Sequence, residues 1–164
     1  MLGSLNAKGK KILLRPLQES DLDFLEWIEN NKENWQFGSE KKQFNKKELL
    51  DYIANAKTDI KVAKQYRFVI DLHRTPIGFI DLFNYTVDSA AIGVIISKDY
   101  RNKGFAKEAL KLIVHYGFNI LKLQKLHCSI VKDNLFSTRL FTSCAFELKK
   151  ETKDLQYFTK LAKN

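Results

Sequence analysis

Residues 98–110 read KDYRNKGFAKEAL and bring Arg101, Gly104 and Ala106 together in the spacing Arg-x-x-Gly-x-Ala. An apolar run precedes them and a helical pattern follows. The start of a helix carries four backbone N–H groups without partners and a partial positive charge. An anion held there meets backbone donors, and phosphate is the usual guest. Gly104 lets the backbone approach a bulky ligand, and Ala106 keeps the next approach small. Arg101, Lys103 and Lys107 add positive charge. The stretch therefore reads as a cradle for a pyrophosphate. Two other phosphate loops are excluded, because neither GxxxxGK[ST] nor GxGxxG occurs in the chain.

A second candidate is Asp81, inside the apolar stretch 77–83, IGFIDLF. Strand alternation would put Ile77, Phe79, Asp81 and Phe83 on one face. A carboxylate among three apolar neighbours is either a functional acid or a residue facing solvent. Asp71 ends the preceding strand and reads as a turn residue. His73, His115 and His127 are scattered over turn, helix and strand, with no triad-like or metal-like setting, so they receive no chemistry. Cys128 and Cys144 form no CxxC pair and read as small buried apolar residues. No metal site is expected.

The elements that must position these residues follow from periodicity. Residues 11–17 read as a strand. Residues 20–31 read as a helix, with Ser20 as cap and Asp23 as its capping-box partner. A loop covers 32–44, and a second helix spans 45–57 behind Asn45 and Glu48. Strands follow at 66–72 and 77–85 around a turn at 73–76, then at 90–97. The glycine stretch opens a helix over 104–121. A strand at 125–132, a helix at 134–145 starting at Asn134, and two closing strands at 146–151 and 155–162 complete the chain. The order is that of an α+β domain with an antiparallel meander in the middle.

The chain has 164 residues, which suits one domain over 1–164. It carries 28 Lys and Arg against 19 Asp and Glu, a net charge of +9. Such a surface attracts phosphate-bearing partners without choosing among them. An RNA-binding domain would need aromatics interleaved with basic residues on one sheet face, and the aromatics here fall at core-like positions, so no direct nucleic-acid binding is expected. No apolar run approaches the ~20 residues of a membrane span, and the first sixteen residues hold no signal-like stretch. With two unpaired thiols, the expected location is the cytoplasm.

Taken together, the chain resembles the GNAT superfamily of N-acetyltransferases, most closely its ribosomal-protein and polyamine acetyltransferase branches. The resemblance rests on residues 11–28, on 76–84 with 90–118, and on 125–148, in the order of that family. It implies a mixed, mostly antiparallel central sheet flanked by helices, with a V-shaped cofactor cleft between two central strands. It also implies acetyl-CoA as cosubstrate. The pantetheine arm would pair with backbone around Val94, Ile95 and Ile96. The pyrophosphate would meet the loop from Arg101 through Asn102, Lys103, Gly104, Phe105 and Ala106 to Lys107. Asn134 and Ser137 would face the arm near the thioester, a role compatible with helix capping. Asp81 would contact the amine side, as base or as orienting group. Trp35, Phe37 and Tyr157 would line the acceptor side. Two features depart from the family pattern. Phe141 stands where a proton-donating Tyr is common, and Ala91 stands where a Glu is common. The implied reaction is acetyl transfer onto a primary amine of a protein N-terminus, a polyamine or a small amine. The alternative is a CoA-binding module without catalysis. The resemblance also allows a homodimer.

Overall fold

A computed structural model describes residues 3–7, 11–34 and 42–163. Strand β1 (Ile12–Pro16) sends Ile12 and Leu14 into the core. Arg15, the residue after Leu14, turns the other way. It donates from Nη2 and Nη1 to both oxygens of Asp21 (2.7 and 2.9 Å) and from Nε to Asp71 (2.7 Å). Asp21 also accepts from the Gln18 backbone N–H at 2.8 Å. That bond is part of a capping box between Gln18 and Asp21 on a 3-10 turn (Glu19–Asp21), so Ser20 is already inside a helical turn and α1 (Leu22–Asn30) starts behind Asp21 without the expected Ser20–Asp23 box. The second capping box is present as expected. Glu48 N–H donates to Asn45 Oδ1 at 2.8 Å, and Asn45 N–H donates to Glu48 at 3.3 Å, opening α2 (Lys46–Asn55). A short helix α3 (Ile60–Ala63), capped by Asp59, was not anticipated.

Seven strands form one sheet in the order β1-β2-β3-β4-β5-β7-β6. They are β2 (Tyr66–Leu72), β3 (Thr75–Phe83), β4 (Ser89–Ile96), β5 (Lys125–Val131), β6 (Glu147–Glu151) and β7 (Leu155–Leu161). Every pairing is antiparallel except β4 with β5. The turn between β2 and β3 has only two residues, His73 and Arg74, both at positive φ. Asp71 accepts the Arg74 N–H at 2.7 Å and stabilises it, so β3 starts at Thr75, earlier than expected. Asp71 is thus a turn residue and an Arg15 partner at once.

The register between β2 and β3 slips near this turn. Ile70 faces Gly78 while Asp71 faces Pro76, which leaves Ile77 over as a bulge. The extra residue rotates Ile77 onto the face of Ile80 and Leu82. The expectation that Ile77 shares a face with Phe79 and Asp81 is therefore corrected.

Helices α4 (Phe105–His115) and α5 (Leu135–Ser143) cover that first face, packing Leu110, Ile113, Leu140 and Phe141 against Phe68, Ile80, Leu126 and Phe158. The predicted helix 104–121 is split, since α4 passes into a π turn at Tyr116–Ile120. Helices α1 and α2 cover the opposite face over β2 and β3, around Leu25, Ile28, Leu49, Ile53, Val69 and Phe79.

Candidate active site at a fork in the sheet

Strands β4 and β5 are paired only through Ser89–Lys125, Ala90–Leu126 and Ala91–His127. Beyond that rung β4 continues along β3 alone, and β5 continues along β7 alone. The sheet is forked there, and the fork matches the expected V-shaped cleft. Neighbouring residues of a strand point their backbone groups to opposite sides. Ser97 N–H donates to Ile77 O at 2.8 Å, toward β3. By alternation Ile95 also points its backbone toward β3, and Val94 and Ile96 point theirs into the open fork. The Ile95 backbone is thus turned to the sheet, on the rung it shares with Phe79. The Ile96 carbonyl accepts from Arg101 Nε at 2.8 Å. Arg101 thus braces the loop to the strand as well as lending charge.

The loop then delivers Gly104 at φ +86 as the N-cap of α4, with no side-chain cap on the helix start. A side chain at Gly104 would meet no heavy atom within 4 Å, so the space above the helix start is open. A cavity of about 370 Å³ lies there. From the loop side it is lined by Arg101, Asn102, Gly104, Phe105, Ala106 and Lys107, with Ile96 below. Lys103 is not in the lining; its ammonium lies 5.9 Å from the Tyr100 ring centroid. An anionic group fits this place: free backbone donors, a basic rim and room for bulk converge on it.

Helix α5 supplies the opposite wall through Phe136, Arg139, Leu140 and Ser143. Sequence reasoning missed these residues and Tyr100. The signal was present as the i, i+3, i+4, i+7 spacing of 136, 139, 140 and 143, which puts one helix face toward the loop. Asn134 caps α5 by accepting the Ser137 N–H at 3.1 Å, and Ser137 is buried behind it. Both stand where β5 enters α5, beside the fork and outside the cavity lining. Phe141 is a core residue, edge-on to Phe146 at 5.1 Å.

The other face of the fork holds Asp81. Its position pairs with Gly93 on β4 and Arg67 on β2. Arg67 grips both carboxylate oxygens at 2.8 Å and donates to Glu29 at 2.6 Å. The guanidinium also stacks 4.8 Å from the Phe79 ring centroid. Burial works against its charge, but Asp81, Tyr52 and Glu29 outweigh that and raise its pKa above the ordinary value. Two carboxylates around one guanidinium leave this patch with a formal charge of −1. Tyr157 stands on the same face, since its strand alternates with Phe158 in the core. Trp35 and Phe37 lie outside the described residues. No group of His, Cys, Asp and Glu that could hold a metal occurs among the described residues, and no helix there is long and apolar enough to cross a membrane.

Comparison with known proteins agrees with this geometry. A family model described as an acetyltransferase (GNAT) domain matches residues 11–147. Spermidine N(1)-acetyltransferase of Escherichia coli K12 is 29% identical over 142 residues, covering 85% of this chain and 75% of its own. The crystal structure of spermidine N-acetyltransferase from Vibrio cholerae, in complex with CoA and spermine, matches with a TM-score of 0.81 at 24% identity, over 92% of this chain and 95% of that one. RimL, a ribosomal L7/L12 alpha-N-protein acetyltransferase solved with coenzyme A, matches with a TM-score of 0.82 at 14% identity, over 96% and 98%.

Proposed function

The chain belongs to the GNAT acetyltransferase family, and from that premise we propose that it moves an acetyl group from acetyl-CoA directly onto a primary amine. The single observation that carries this reading is the fork between β4 and β5, continued by a capless helix start at Gly104. When bound, acetyl-CoA supplies the activated acyl group as a thioester. In this reading the backbone from Arg101 to Lys107 receives its pyrophosphate, with Arg139 facing it from α5. The open backbone of Val94 pairs with the extended arm. Five residues from Ile92 to Ile96 span about 17 Å of strand, which runs from the loop to the fork. Asn134 and Ser137 border the far end. A location with this cosubstrate in the cytoplasm follows from the same reading.

The amine then approaches from the face that α4 and α5 leave free, where Asp81 and Tyr157 stand. Asp81 is better suited to orient an ammonium than to deprotonate it. Arg67 already holds both its oxygens, so they serve as fixed acceptors for a cation beside them. The residual negative charge of the Glu29–Arg67–Asp81 group suits a cationic acceptor. Relatives named for spermidine make polyamines the first acceptors to try.

Thiol release from acetyl-CoA, measured against spermidine, an N-terminal peptide, an aminoglycoside and an amino sugar, tests the reading. Turnover with at least one acceptor is expected. Asp81→Asn should raise the KM for the amine about 10-fold, in line with a charged hydrogen bond, with a smaller effect on kcat. Phe141, with no hydroxyl to give a proton to the leaving thiolate, favours the second reading of a CoA-binding module. That reading predicts that acetyl-CoA raises the melting temperature while no amine is acetylated.

A further inference from the structure

His127 stands on the last rung before the fork, opposite Ala91. Leu126, Cys128 and Ile130 of the same strand are buried in the core beneath α4 and α5. Strand alternation therefore turns His127 to the other face, the one shared by Asp81 and Tyr157. Its rung continues to Thr159 on β7, and the next residue outward on its own face, Ser129, pairs with Tyr157. Asp81 lies two strands away, through Gly93 on β4. The His127 ring is half-buried and makes no side-chain hydrogen bond among the described residues. Of the two titratable groups nearest the fork on this face, Asp81 has its oxygens engaged by Arg67 and His127 has its ring nitrogens free.

We propose that His127 is the general base that takes a proton from the acceptor amine; this rests on the acetyl-transfer reading above. An ammonium arriving on this face gives one proton to a ring nitrogen. The freed lone pair forms the C–N bond at the thioester carbonyl, and the C–S bond breaks with its electron pair on sulfur. The second amine proton ends on the thiolate, and His127 returns its proton to solvent. Ammonium and thioester thus become amide, thiol and one released proton. The charged and titratable groups on this face near the His127 rung are Lys125 on its own strand, Tyr157 on β7 with Lys150 of β6 over its ring, Glu147 on β6 paired with Lys149, and the Asp81–Arg67 pair on β3 and β2. Burial, with Lys125 adding to it, lowers the His127 pKa, which keeps the ring neutral and able to accept at pH 7. Proton transfer from an alkylammonium to this ring is uphill, and C–N bond formation draws it forward, because the acylated nitrogen no longer competes for the proton.

The test runs the wild-type protein, His127→Gln and His127→Ala with the best acceptor, from about pH 5.5 to 10. Expected for the wild type is a kcat/KM that falls on the acid side below the ordinary histidine range. His127→Gln should lose about 100-fold or more at pH 7. The deficit should close toward pH ~10.4, where the amine is free without help. Added imidazole should restore part of the His127→Ala rate, which a structural role would not produce. A His127→Gln enzyme with an unchanged rate and acid limb overturns the proposal while leaving acetyl transfer standing. A wild-type protein that binds acetyl-CoA and acetylates no amine overturns both. Stabilisation of the variants by acetyl-CoA verifies that they fold. Should they not fold, NMR titration of the wild-type ring decides: a His127 still charged at pH ~7.5 overturns the proposal, since only the neutral ring accepts a proton.

Discussion

A single backbone angle at Gly104 shapes the loop that lines the cavity at the start of α4. Its φ of +86 is left-handed territory that side-chain-bearing residues enter at a cost of about 1–2 kcal/mol. A methyl group there has open space, so strain and not collision sets the penalty. Gly104→Ala should lower unfolding stability by about 1 kcal/mol and shrink the further stabilisation that acetyl-CoA gives, because the helix start is re-aimed. Denaturant melts with and without acetyl-CoA check both effects; equal acetyl-CoA stabilisation in the two proteins would remove Gly104 from the binding loop. This residue was legible in the sequence because its job is local: a glycine, a helix start and flanking cations lie within seven positions. Asp81 was only half legible. Its place on an apolar strand stood out, but Arg67 is fourteen residues away and becomes its partner only through the β2–β3 register. His127 looked inert for the same reason, since nothing adjacent to it in sequence reveals that the sheet forks there.

At the scale of elements, β4 stays in close contact with β3 along the part that runs past the fork. Gly78 marks it. A Cβ at that position would lie 2.2 Å from the Ile95 carbonyl oxygen, a backbone atom that cannot swing away. Gly78→Ala should therefore cost about 3 kcal/mol, at the upper end of overpacking penalties, through displacement of β4. A melting curve compared with that of Gly104→Ala measures it; a loss no larger than that of Gly104→Ala would mean that the strands separate without cost. Periodicity revealed nearly every strand and helix, including the Asn45–Glu48 box. It missed the Ile77 bulge and the early start of β3. Both follow from Asp71 accepting the Arg74 N–H across a two-residue turn, a side-chain event that a hydrophobic pattern does not record.

For the whole molecule, the core resists alkali only as long as its buried acids stay protonated. Burial pushes the Cys128 thiol up to about 12, with a bond from Phe158 working slightly the other way. Burial, with Tyr66, Asp59 and Tyr85 adding to it, pushes the Tyr116 hydroxyl up to about 12. In the unfolded chain these groups ionise near their ordinary values of about 8.5 and 10. Between those values and 12 the unfolded state has lost protons that the folded state keeps, so stability falls as pH rises. Urea midpoints should hold to about pH 8.5 and then decline toward pH 11, with Cys128→Ala removing the earlier part of the decline. A midpoint that stays flat to pH 11 would show that these groups ionise without unfolding. The thiol of Cys128 should also resist alkylating reagents in the folded protein, whereas the half-buried Cys144 should react first.

The sequence by itself determined what is carried by neighbours along the chain: the α+β order of elements, the helix start that can hold phosphate, and the apolar core. These depend on backbone propensity, alternation and spacing, which act over a few residues. Only the tertiary structure decided which side chains meet at the fork. It paired β4 with β5 for three rungs and then let them part. It also set Arg67 on Asp81, brought Arg139 to the loop, and turned His127 to the face that carries Asp81 and Tyr157. The strand-borne juxtapositions are products of register and sheet order, and a one-residue slip would send Arg67, Asp81 or His127 to the opposite face, while Arg139 depends on how α5 packs beside the loop.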